Sequence, residues 1–357
     1  MRTPTRSAPF THAGTSLGRI MGQVMVALVP ATAFGLLQFG WPAVFLFATT
    51  VAAAAAFDAL GLYLAGRPVA DGLADGTAVL AGWILALTLP PWAPWWIGVT
   101  GAGIAVLVGK HVYGGTGQNI FNPAMVARVA LLVSFPVPMT TYIAPVPLWE
   151  AAAPGFVEAL AITFGGAQPV DALTVASPLD ALSTALHGGA AVPQARDAVP
   201  ALKALLTGTV PGSLGETSAG LVLAGGLFML AVRTISWPIP VAFLGTLFGL
   251  AEVFHQIDPM HYPTGLFHLS AGSVMLAAFF VATDPVTSPV SRTGHLIFGA
   301  GAAAITFLIR TWAGYPEGLG FGILLMNAAT PLIDRWARPR IMGRDRNGRP
   351  LAGGGGP

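Results

Sequence analysis

Long apolar runs alternate with short polar breaks along most of this chain. Apolar stretches occupy residues at about 20–39, 42–65, 77–90, 95–109 and 123–136, and again at about 218–232, 238–254, 267–282, 295–311 and 318–334. A polar interval of about 80 residues, 137–217, separates the two sets. Ten runs, five on each side, predict an all-α polytopic membrane protein with ten transmembrane helices. Several runs hold only 14 to 17 residues, whereas a straight span needs about 20. Short segments broken by Gly and Pro, placed alike in two halves, point to interrupted helices around an internal site. Five spans per half is an odd number, so the second half would lie inverted relative to the first. Only a faint echo joins them: NIFNPAMVARVALL ends the first set and ILLMNAATPLIDRW ends the second. The organisation expected is an N-terminal segment 1–19, a five-helix half 20–136, an outer loop 137–217, a second half 218–336 and a disordered tail 337–357.

Composition supports the membrane reading. Charged residues make up 9% and apolar residues 54%, against about 25% and 45–50% in soluble domains, and the mean hydropathy is +0.70. A net charge of +2, with its arginines at the termini and in short loops, implies no nucleic-acid partner. With no cysteine, disulfides, thiolate metal sites and protein-ligated iron–sulfur clusters are excluded. Any redox chemistry must therefore use an added cofactor or a partner subunit. Lysine and arginine also orient the chain. With the N-terminus inside, the cytoplasmic segments carry thirteen of them, the outer segments carry only Arg196, Lys203 and Arg310, and Arg128 lies within a span. Both termini are thus expected in the cytoplasm and 137–217 outside.

Residues Lys110–Pro136, KHVYGGTGQNIFNPAMVARVALLVSFP, are the most unusual stretch. A glycine-rich, amide-bearing segment runs straight into an apolar run. Glycine allows positive φ and close backbone approach, Asn119 and Asn122 supply uncharged donors and acceptors, and Pro123 suits the first position of a helix. Irregular backbone beside a membrane-length run is tolerated where protein or a cavity covers it; a capped cytoplasmic turn explains the same residues. The stretch is not a phosphate-binding P-loop, lacking the Gly-Lys-Ser/Thr ending. Between the eighth and ninth runs, ATDPVTSP places Asp284 in a rigid polar turn. Topology puts that turn on the same face as the glycine-rich segment, so the two line either one site or two unrelated turns.

Other candidates carry competing structural readings. Asp58, Arg128 and Glu252 fall within or near spans, where charge is costly and marks either ion handling or a structural pair. Glu252, His255, Asp258, His261 and His268 have metal-like chemistry, but their spacing is loose and Pro259 and Pro263 break any shared helical face; interfacial positions are expected, with no metal site. Trp92, Trp95 and Trp96 fit an interfacial aromatic belt. Gly245-x-x-x-Gly249 and Gly318-x-x-x-Gly322 fit close helix packing. In the outer interval, DALTVASPLD offers hydroxyls beside a proline, with nothing resembling the Gly-x-Ser-x-Gly of a serine hydrolase.

Three segments together carry a resemblance: GGTGQNIFNPAMVARVALLVSFP, DALTVASPLDAL, and FFVATDPVTSP with the later GYPEGLGFGILLMNAATPLID. They resemble the RnfD family of Rnf ion-translocating oxidoreductase complexes and, more distantly, the NqrB family of sodium-pumping NADH:quinone reductases, over residues of about 15 to 340. The resemblance implies ten spans in two inverted halves, a fold like that of urea transporters, in a bacterial inner membrane. It implies the other members of an Rnf complex as partners (RnfA, RnfB, RnfC, RnfE and RnfG), a lipid environment, and an FMN attached covalently through its phosphate by a separate flavin transferase. The family's acceptor pattern, Asp-x-x-Ser/Thr-Gly-Ala-Thr/Ser, corresponds to Asp171 through Ser177, with Val175 in place of the usual glycine and serine in place of the commoner threonine. It makes Ser177 the acceptor and Thr174 the rival. A riboflavin held without a covalent bond is implied near Asn119, Asn122 and Asp284.

Two classes of function follow. One is a flavin-bearing subunit of a complex coupling electron transfer between NADH and ferredoxin to the movement of Na+ or H+. The other is a passive solute channel on the same inverted-repeat scaffold, which needs no outer hydroxyl acceptor and no flavin-sized cavity.

Overall fold

The computed structural model describes residues 16–166, 174–189, 191–194, 200–216, 218–313, 315 and 317–338. The N-terminal residues before 16, the tail from 339, Asp171 and Arg196 lie outside the described residues. The described chain is mostly helical, and its one sheet pairs β1 (Tyr142–Ile143) antiparallel with β2 (Thr174–Val175), Tyr142 opposite Val175.

The first helix, α1 (Leu17–Leu64), shows how the apolar pattern becomes architecture. Forty-eight straight helical residues would make a rod of about 70 Å, more than twice the thickness of a hydrocarbon core. The chain departs from helical geometry at Gly40, where φ is 71° and ψ −161°; this left-handed φ is open to glycine at little cost. Pro42 follows and would remove a helical hydrogen bond in any case. Next come α2 (Val69–Leu73), α3 (Thr77–Thr88) and α4 (Trp95–Gly103), the last continued by a π-turn at Ile104–Val108. Asn122 then caps α5 (Pro123–Ser134), its side chain accepting from the Met125 amide at 3.2 Å, with Pro123 at the first helical position. This is the start that the Asn-Pro pair predicts.

Beyond α6 (Pro136–Thr140) lie the helices of the 137–217 interval, α7 (Phe156–Gly165), α8 (Pro178–His187) and α9 (Leu202–Thr207). The later part comprises α10 (Ala219–Ala231), α11 (Pro238–Ile257), α12 (Gly265–Ser270), α13 (Val274–Leu276, with a π-turn at Ala277–Val281), α14 (Arg292–Trp312) and α15 (Leu319–Trp336). Among the described residues four helical stretches are long and apolar enough to cross a membrane: Leu17–Leu64, Trp95–Tyr113, Pro238–Ile257 and Arg292–Trp312. Shorter apolar helices, α3, α5, α7 and α10 among them, stand beside these.

One continuous core joins the early and late helices, running from Leu28 and Phe39 through Leu85 and Leu131 to Phe243, Phe298 and Phe307. At Gly225 a methyl group would stand 2.4 Å from the Ala27 carbonyl oxygen, so α10 meets the backbone of α1 directly. Two sequence expectations need correction. Gly318 and Gly322 do lie against α14, but a methyl at Gly245 or Gly249 would find nothing within 4 Å, so that pair packs against no described helix. Trp95 and Trp96 are exposed, whereas Trp92 is buried against Ile143 and Ile162 and donates to the Phe39 carbonyl at 2.8 Å. A buried indole satisfied in this way is a core residue.

Candidate functional site

The glycine-rich segment and the Asp284 turn meet. Asn122 donates from Nδ2 to Asp284 Oδ2 at 3.3 Å, across 162 positions of sequence. Its backbone N–H donates to Asn327 Oδ1 of α15 at 3.1 Å, and Asn327 Nδ2 donates to the Thr287 carbonyl at 3.1 Å. Asn327 is fully buried, so one amide side chain ties the start of α5 to the Asp284 turn. An amide suits this bridge because it donates and accepts without charge. Asp284 also accepts from the Val286 amide at 3.1 Å and from the Thr287 hydroxyl at 3.3 Å. Burial raises its pKa above the ordinary carboxylate value, and these hydrogen bonds oppose the shift only in part.

Between these parts lies a cleft of about 950 Å³ of atom-free space, counted out to its open mouth. Met21, Ile84 and Phe280 are among its apolar walls, while Lys110, Asn119, Asn122 and Asp284 supply polar groups. Asn119 is buried, its Nδ2 donating to the Phe121 carbonyl at 3.3 Å. Lys110 Nζ donates to Asp58 Oδ1 at 2.8 Å and to Thr77 Oγ1 at 2.9 Å, and His111 Nε2 stands 2.7 Å from the same Asp58 oxygen. Asp58 is therefore half of a buried ion pair beside the cleft. The glycine loop is pinned from outside: Arg67 Nη1 donates to the Gly114 carbonyl at 2.9 Å, and Thr116 donates to Asp75 at 2.9 Å. Gly114, Gly115 and Gly117 all have positive φ, which a side chain at those positions would oppose. Apolar walls with a few converging polar groups are the general form of a small-molecule site.

A second buried cluster joins the two parts of the chain. Arg128 of α5 donates from Nη1 to the Thr88 carbonyl and from Nη2 to Glu317 Oε2 at 3.2 Å. Glu317 Oε1 accepts from the Ser273 amide at 2.8 Å and stands 3.9 Å from Arg310 Nη2. Ser273 donates its hydroxyl to Glu216 at 2.9 Å. Ser273 lies where the helical path breaks between α12 and α13, and Gly272 there has φ +72°. The sequence pointed to Arg128 but not to Glu317, Arg310, Glu216 or Asn327. The echo between NPAMVARV and NAATPLID was the one available signal for Asn327.

Ser177, the acceptor that the resemblance implies, is closed in rather than open at the surface. Ser177 does have extended backbone, with φ −65° and ψ 158°, but it is the N-cap of α8. Its Oγ accepts from the Asp180 amide at 3.2 Å and donates to Asp180 Oδ2 at 2.6 Å, and the residue is 5% exposed. Burial raises the Asp180 pKa, the Ser177 hydrogen bond opposing it. Glu252, His255 and Asp258 are each taken up locally: Glu252 accepts from the Gly265 amide at 3.1 Å, His255 Nδ1 stands 2.7 Å from the Tyr262 carbonyl, and Asp258 pairs with His261 at 2.7 Å.

A profile of the NQR2, RnfD, RnfE family matches residues 4–343. The chain is 53% identical over 350 residues to a protein of Halorhodospira halophila named as the D subunit of an ion-translocating oxidoreductase complex, covering 97% of each chain. It is 53% identical over 337 residues to the protein of that name in Stutzerimonas stutzeri, covering 94% of this chain and 95% of the other. It is 47% identical over 303 residues to the one in Rhodobacter capsulatus, covering 85% and 84%.

Proposed function

Because the chain belongs to the NQR2, RnfD, RnfE family over nearly its whole length, we propose that it is the flavin-bearing membrane subunit of an ion-translocating oxidoreductase complex. In this reading the complex couples electron transfer between NADH and ferredoxin to movement of Na+ or H+ across the bacterial inner membrane. The chain crosses ten times as two inverted halves, with both termini inside and 137–217 outside.

The observation that carries the reading is the shared cleft of Asn119, Asn122 and Asp284. Its chemistry fits an isoalloxazine ring: the apolar walls suit the ring faces, and the two amides, the carboxyl and Lys110 offer donors and acceptors to its polar edge. A riboflavin held there supplies one- and two-electron chemistry. The chain's own residues bind and orient it, and the paired Lys110 and Asp58 hold compensated charge beside it. FMN is joined as a phosphoester to Ser177, placed by a partner transferase, with Thr174 the rival acceptor.

Two measurements test this. Asn122→Ala combined with Asp284→Ala should release extractable riboflavin while the covalent flavin stays; unchanged riboflavin in the folded double variant would overturn the cleft site. Ser177→Ala should abolish flavin fluorescence of the denatured gel band and Thr174→Ala should keep most of it; a fluorescent Ser177→Ala band would overturn the acceptor. A colourless purified complex, without absorbance near 450 nm, would favour the passive channel instead.

A further inference from the structure

The 137–217 interval is polar as a whole, yet α7 within it (Phe156–Gly165, FVEALAITFG) carries one charged residue in ten. A ten-residue helix is about 15 Å long, half the thickness of a hydrocarbon core, so α7 does not cross a bilayer. At about 100° per residue, Phe156, Val157, Leu160, Ala161 and Phe164 share one face, and all five are exposed. Val157 is 78% exposed. Ala159, Ile162 and Thr163 turn inward and are buried, Ile162 against Trp92 and Ile143. Glu158 lies outside the exposed apolar face, between it and the buried one. The surroundings mark a level along the bundle. Phe156 meets the rings of Trp41 and Phe45 at 5.3 and 5.1 Å between centroids, and Phe164 meets Trp95 at 6.4 Å. Trp41 directly follows the break in α1 at Gly40. Leu148 donates its amide to the Leu37 carbonyl at 2.8 Å, which sets Trp149, 70% exposed, at the same end. The glycine loop lies at the other end of this part of α1, held by Arg67, and a helix over residues 41–64 spans about 35 Å. Tryptophan gathers where hydrocarbon meets water, so α7 sits at one such boundary.

We propose that α7 lies flat at the membrane boundary, with the face of Phe156, Val157, Leu160, Ala161 and Phe164 in lipid hydrocarbon. That face offers no side-chain donor or acceptor, whereas a protein interface carries about one hydrogen bond per 100–200 Å². Acyl chains ask for none, and a helix satisfies its interior backbone groups itself. Around the helix come protein on one side, hydrocarbon on the next, and Glu158 toward water. This is the order of an interfacial helix, whose apolar face enters the headgroup–acyl boundary by about 5–10 Å. Ring contacts make the surface continuous with α1 and α4, so lipid that reaches Phe45 and Trp95 reaches α7 as well. This placement needs no flavin and does not depend on which side of the membrane the interval faces.

The chain has no cysteine, so a single introduced one takes a nitroxide label at a known place. With the full chain in phosphatidylcholine vesicles, labels on Val157→Cys and Leu160→Cys should collide with oxygen severalfold more than with a water-soluble nickel chelate. A label on Glu158→Cys should show the reverse order. Nickel collisions dominating at all three positions would put the helix in water and overturn the proposal. In the intact complex in its own membrane, genetically encoded benzoylphenylalanine in place of Phe156 or Phe164 should, on irradiation, give chains heavier by one phospholipid. Cross-links to protein at both positions, in place of lipid adducts, would make the face a protein contact and equally overturn it.

Discussion

Asn122 serves three partners at once: it caps α5, it donates to Asp284, and its amide N–H is held by Asn327. Replacing it with aspartate keeps the cap but sets a second carboxylate against Asp284. Burial already raises the Asp284 pKa. A raised carboxylate binds more protons in the folded state than in the unfolded chain, so its contribution is intact at acid pH and is lost as pH rises above the ordinary value of about 4. Thermal unfolding midpoints of the solubilised protein should therefore fall with rising pH above that value, more steeply for Asn122→Asp and hardly at all for Asp284→Asn. A fall of equal slope in all three would assign the pH dependence elsewhere. Arg128→Met should be costlier, because it takes from the buried Glu317 its nearer arginine and leaves only Arg310 at 3.9 Å; breaking a buried pair costs up to about 3–5 kcal/mol, read as a lowered unfolding midpoint. Residue types in the sequence were enough to single out Asn119, Asn122, Asp284 and Arg128. Their partners were not legible, because Glu317 is 189 positions from Arg128 and Asn327 is 205 from Asn122. Distances of that kind are set by packing, and local pattern does not encode them.

Helices are where the sequence was most legible. Apolar run lengths, glycine and proline located the starts of α3, α5 and α11, and the break in α1 falls where Gly40 and Pro42 interrupt an apolar stretch. Less legible was which glycines meet a neighbour. Gly245 and Gly249 have the same spacing as Gly318 and Gly322, yet only the second pair lies against another helix. Spacing shows that a close approach is possible, and the partner decides whether it happens. Gly225→Ala should separate α10 from α1, since the new methyl would meet the Ala27 carbonyl rather than a movable side chain. Overpacking of this kind costs about 1–3 kcal/mol. Gly249→Ala, with open space around it, should leave the unfolding midpoint of the isolated subunit unchanged; an equal loss in both variants would contradict this packing.

At the scale of the whole molecule the membrane class was plain from composition, the ten crossings are a proposal from the ten apolar runs, and their orientation is one from charge asymmetry. It has a direct check. A cysteine at Thr184, exposed on α8, should react with an impermeant thiol reagent added to intact spheroplasts. One at Val112, exposed beside the glycine loop, should react only after lysis. The opposite pattern would invert the orientation.

The burial of Ser177 also bears on the order of events in biosynthesis. In the folded chain Ser177 is 5% exposed and its hydroxyl donates to Asp180, so the transferase proposed above would find its target closed after folding. On the attachment proposed above, cofactor loading belongs to the interval between synthesis of the 137–217 segment and the settling of α8. Inducing the transferase late should leave chains already made unlabelled and mark only those synthesised afterwards, a difference that pulse-labelling followed by in-gel fluorescence would resolve.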